Sequence, residues 1–160
     1  MTKAQFKTLL QSALFFCSCV ASNADCSTDR FAEAAPFRAA EILLQDVIDQ
    51  VSKFNYPGVN TSDIPDLLLP YREQLRNLGD TLLRDEKLTD KHLSELSFLC
   101  SPGLLNMKEI VMREGRKLLF PKKPGDTPDS LKKAHAGALS FFWEESATLA
   151  VIANILKCEK

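Results

Sequence analysis

The stretch TPDSLKKAHAGALSFFWEESATLAVIANILKC, residues 127–158, decides the fold. Thr127 offers a hydroxyl cap, Pro128 suits the first helical position, and Asp129 sets an acid near the positive helix end. On a wheel at about 100° per residue, Leu131, Ala134, Ala138, Phe141, Phe142, Leu149, Ile152 and Leu156 gather on one face. The spacing predicts a helix from Asp129 nearly to Cys158, about 45 Å long at about 1.5 Å per residue. It is expected to be the longest element, with the others packed around it.

The same periodicity recurs upstream. Ser27 or Asp29 can cap a first helix whose apolar face carries Phe37, Ala40, Leu44, Val47, Val51 and Phe54. Its other face carries Glu41, Gln45, Asp46 and Asp49, and Tyr56-Pro57-Gly58 ends it. A second helix is read from Pro70 to Arg84 on the stripe Tyr71, Leu75, Leu78 and Leu82. Proline is costly inside a helix, so residues 64–69 are expected to form a separate turn. Thr89 caps a short third helix from Asp90 to Cys100, which Pro102-Gly103 breaks. A fourth runs from Leu104 to Leu119 with Leu104, Met107, Val111 and Leu118 on one side. β-branched residues never alternate with polar ones over a useful length, so strand signals are weak. The fold class expected is all-α, a single-domain bundle of four or five helices with a long C-terminal helix.

The N-terminus reads as an address. Lys3 and Lys7 precede an apolar run from Leu9 to Val20, and Ser22-Asn23-Ala24 resembles an A-x-A cleavage site. Residues 1–24 are read as a secretory signal peptide and 25–160 as the helical domain. The apolar run is shorter than the roughly 20 residues that span a bilayer, and no later run approaches that length. Cys19 follows a small residue, but the leucine and small residue that precede a lipid-anchored cysteine are missing. The chain has 20 Lys+Arg and 21 Asp+Glu; removing Lys3 and Lys7 leaves a net charge of −3. That balance argues against nucleic acid, whose phosphates call for a basic surface.

Export makes the cysteines a disulfide question. Cys26, Cys100 and Cys158 remain after processing. If the third and last helices run parallel, Cys100 and Cys158 lie at the same end, while Cys26 starts the first helix at the other. Cys100–Cys158 is therefore the favoured bridge, with Cys26 a possible free thiol; Cys26–Cys158 stays open, because spacing alone does not fix connectivity.

Two polar residues sit where the pattern asks for apolar ones. Glu145 falls among Phe141, Phe142 and Leu149, and His92 among Leu88, Leu96 and Leu99. A carboxylate buried alone takes up a proton or costs several kcal/mol. The two are expected to meet as a buried pair, structural or ligand-binding. His135, at the edge of the last helix's apolar face, is read as boundary packing. Asn60-Thr61-Ser62 is a glycosylation sequon in a predicted loop. Arg113, Arg116, Lys117, Lys122 and Lys123 form a basic cluster, either a solvated helix end or a contact patch for an acidic partner.

The sequence holds neither a Cys-x-x-Cys pair after the leader, nor a calcium loop, nor a Gly-x-Ser-x-Gly or phosphate-loop motif. No catalytic set, metal site or cofactor is expected. The expectation is an exported protein-binding module whose partner is another protein, such as a periplasmic inhibitor or immunity-type protein. Alternatives are a secreted cytokine-like bundle, and an enzyme or small-ligand carrier using His92 and Glu145.

Overall fold

The computed structural model describes residues 27–84, 86–119 and 129–158. They form α1 (Ser27–Lys53), α2 (Ile64–Leu83), α3 (Asp90–Phe98), a π-helical turn (Leu99–Gly103), α4 (Leu104–Leu119) and α5 (Asp129–Ile155). The fold is all-α, and no strand occurs among the described residues. α1 packs along α2, and α5 along α4; α1 also packs on α5 and α2 touches α4, so the four long helices close into a ring. α1 and α5 are each 27 residues long, so the final helix shares its length with the first.

The core lies where the stripes point. Ala40, Leu44, Val47 and Val51 of α1 are fully buried, as are Leu75 and Leu78 of α2, Val111 of α4 and Phe142, Leu149 and Ile152 of α5. Phe54, just past α1, stacks on Phe141 with ring centroids 4.3 Å apart and meets Phe142 edge-on at 5.1 Å. α4 reaches α5 through Gly115: a Cβ there would lie 2.9 Å from the Phe142 Cβ. The absent side chain is what lets the two backbones come this close.

Three expectations are corrected. α2 does not start at Pro70 but at Ile64, and Pro70 is inside it. An internal proline costs a helix about 3 kcal/mol; against that, the first turns bury Ile64 and Leu68 completely. Pro65, in the first turn, costs little there. Ala134 is exposed; among the described side chains of α5 the first buried one is Ala138. Leu131 lies outside the described side chains. Glu41 does not face solvent with Asp49 but is buried.

The ends are set by local chemistry. Val59 N–H donates to the Tyr56 carbonyl at 3.1 Å across Pro57-Gly58, and Gly58 has φ +81°. That is the pattern of a type II turn, which needs glycine at its third position. α5 stops in a Schellman motif: Cys158 N–H reaches the Ala153 carbonyl at 3.0 Å, and Lys157 N–H reaches that of Asn154 at 3.2 Å. Lys157 takes the left-handed position, φ 52°, normally filled by glycine. Lys157→Gly is expected to stabilise the protein by about 1 kcal/mol. Equilibrium urea unfolding would register it as a higher midpoint at unchanged slope; a lower midpoint would refute it.

Candidate functional site

His92 and Glu145 occupy different environments. α3 itself buries none of its residues; of the stripe that holds His92, Leu99 just past the helix is in the core, Leu88 and Leu96 pack against it, and His92 is half-buried. Thr89 and His92 form a capping box. The Thr89 side chain accepts from the His92 N–H, and His92 Nδ1 accepts the Thr89 N–H at 3.2 Å. Imidazole here does the work that glutamate usually does at this position. The periodicity was real, but the residue serves the helix end. Among the described residues no hydrogen bond or ion pair links His92 to Glu145.

Glu145 is half-buried on α5. Burial pushes its carboxyl up from 4.5 to about 7, and the carboxylates of Asp46 on α1 and Glu144 add repulsion. The α1–α5 interface therefore brings together two carboxylates, Asp46 and Glu145. In the unfolded chain Glu145 ionises near its ordinary value; in the folded chain it keeps its proton to higher pH. The folded state binds more protons across that interval, so stability falls as pH rises from about 4.5 to about 7 and levels off above. Glu145→Gln is expected to flatten this slope. Urea midpoints at about pH 5 and about pH 8 for both proteins would test it; an equal slope in the variant would assign the dependence to another group.

The basic cluster is largely spoken for. Arg113 makes a two-pronged contact with Asp63, at 2.7 and 2.9 Å, and Nε lies 3.3 Å from Glu114. Arg116 pairs with Glu109 at 2.5 Å and Lys117 with Glu114 at 2.5 Å. A cation paired within its own chain presents little field to an acidic partner. Lys122 and Lys123 lie outside the described residues. Glu114, buried within this cluster, also accepts the Asn60 N–H at 3.3 Å. Burial alone would raise its pKa. Lys117, the Asn60 N–H and Arg113 outweigh that and hold it below the ordinary range.

A second charged network joins α1 to α2. Buried Glu41 lies 2.7 Å from Arg38, and 3.6 Å from both Arg72 and Arg76. Arg38 also bonds Asp80 on α2, and its side chain passes beside Gly79. Glu41 and Glu114 each combine a partner on their own helix with one from another segment, Arg72 and Arg76 for Glu41 and the Asn60 N–H for Glu114, and a single helix's periodicity does not show the second kind.

His135 sits half-buried at the bundle edge, where its Nε2 pairs with the Leu118 carbonyl and its ring meets Tyr56 at 6.1 Å. Cys100 and Cys158 form a disulfide, with Cα atoms 5.0 Å apart. It ties the end of α5 to the π-helical turn. Cys26 and residues 1–24, read above as a signal peptide, lie outside the described residues. A shallow cleft lined by Arg30, Glu33, Leu82, Glu86, Lys87 and Leu88 contains none of the residues singled out above. Among the described residues no group of three or more His, Cys, Asp or Glu could hold a metal, and no helix is long and apolar enough to cross a membrane.

Some apolar side chains remain in water. Phe98, 42% exposed, stacks on Tyr71 with centroids 6.4 Å apart, and Leu67, one turn before Tyr71, is 41% exposed. Gly103 of the π-helical turn lies against the Tyr71 ring. Trp143 stands outward on α5 at 57% exposure. With this geometry in hand, comparison finds no match to a family model, a curated protein or a solved structure.

Proposed function

We propose that this chain is an exported helical module that binds another protein, with an inhibitor or immunity-type protein as the specific form. The observation that carries the reading is the apolar edge formed by Leu67, Tyr71 and Phe98. Exposed aromatics of this kind form the centres of protein interfaces, where a few such anchors supply most of the binding energy. The edge adjoins the turn that holds Cys100, and the bridge to Cys158 braces that turn. A braced surface loses less conformational freedom on binding than a loose one. The paired state of Arg113, Arg116 and Lys117 favours this edge over the basic cluster as the contact surface.

Substitution separates surface from scaffold. Phe98→Asp removes a partly exposed ring that stacks on Tyr71 and is expected to cost the free protein about 1–2 kcal/mol while leaving it folded, which circular dichroism checks. A partner that forms a stoichiometric complex with the wild-type protein should lose most of its affinity for Phe98→Asp. Equal affinity would remove this surface. Failure to isolate any stoichiometric protein complex from the compartment of export would remove the reading.

A further inference from the structure

We infer that Asn60 is an attachment site for an N-linked glycan. The inference rests on the export reading in its secreted rather than its periplasmic form, because the transferase that reads Asn-x-Ser acts on chains entering a eukaryotic secretory compartment. A sequon alone is a short motif; what the fold adds is its presentation. Thr61, the middle residue, is buried, while Asn60 and Ser62 on either side are exposed. The alternation points the acceptor amide and the hydroxyl outward together.

The three residues form a closed hydrogen-bonded unit. Asn60 Oδ1 accepts the Ser62 N–H at 3.1 Å and the Ser62 hydroxyl at 2.8 Å. Neither bond uses Nδ2. The segment is anchored from both sides: the Asn60 N–H on buried Glu114, and Asp63 on Arg113. Ile64 N–H closes back onto the Thr61 carbonyl at 3.1 Å as α2 begins. A sugar on Nδ2 would therefore extend from a fixed point between α1 and α2 without displacing a core side chain.

The chemistry is a substitution at the anomeric carbon of a lipid pyrophosphate-linked oligosaccharide. Nδ2 forms a bond to that carbon and gives up a proton to a base of the transferase. The carbon–oxygen bond to pyrophosphate breaks, and the lipid pyrophosphate leaves with the electron pair. Nothing is oxidised or reduced.

The test is to express the full chain in cultured cells that carry the transferase and to measure the secreted protein's intact mass before and after endoglycosidase treatment. The expected result is an added mass that the enzyme removes, lost in Asn60→Gln and in Ser62→Ala and kept in Ser62→Thr. Secreted chain of unmodified mass overturns the glycan site and leaves export standing. Chain retained in the cytosol with Met1 in place overturns export. In that case the same variants are read behind a leader of known secretory function, where unmodified secreted protein again overturns the site.

Discussion

Replacing Phe142 by alanine is expected to destabilise the protein by about 3–5 kcal/mol. The side chain is fully buried at the junction of α4, α5 and the end of α1. It loses its transfer free energy and leaves a hole that the surroundings cannot easily fill. Gly115 faces it with no side chain, and the two backbones are already in close approach. Phe54 and Phe141 are stacked on one another and have little room to swing inward. Urea unfolding of Phe142→Ala should show the loss, with Trp143→Ala, the exposed neighbour, changing within about 0.5 kcal/mol. A loss at Phe142 below about 2 kcal/mol, under the usual range for a buried phenylalanine, would mean that this junction is loosely packed. Gly115→Ala supplies a second readout. Its methyl would lie 2.9 Å from the Phe142 Cβ, an atom that alanine at 142 keeps, so Gly115→Ala should destabilise the wild-type protein and give no net gain beside Phe142→Ala either.

Removing the disulfide is expected to cost a similar amount. Cys100 and Cys158 are separated by 58 residues, and closing a loop of that length lowers the unfolded chain's entropy by about 4 kcal/mol at room temperature in the chain-entropy model. The double variant Cys100→Ser/Cys158→Ser should unfold at a lower urea concentration by that margin. The native helices should be retained, since both cysteines are only half-buried and Cys158 packs at the margin of the core rather than within it. Circular dichroism before unfolding and a urea titration check both halves of the expectation. Equal stability of oxidised and reduced protein would mean that the unfolded chain is already compact in this region.

The helices were legible because their stripes are long. Periodicity put Leu44, Val47, Val51, Val111, Phe142 and Leu149 in the core, and each is fully buried. Helix direction favoured Cys100–Cys158 but left Cys26–Cys158 open; the structure forms the first. What periodicity could not supply was the identity of a charged residue's neighbours. Glu41 falls on the polar side of α1's wheel, yet three arginines from α1 and α2 cover it. His92 falls on a stripe whose leucines pack on the core, but it stands in the first turn of α3, where a capping role competes with burial and wins. Pro70 marked a break by its own cost, and the burial of Ile64 and Leu68 overrode it.

The bridge from Cys100 to Cys158 also decides what a protease can release. Everything between those residues, including all of α4 and α5, lies within one covalent ring. A single cut anywhere in that ring leaves two segments still joined through sulfur. Such nicked protein should run as one species until reductant is added and then separate into two. A cut in the loop between α1 and α2 falls outside the ring and should free a fragment at once under denaturing, non-reducing conditions.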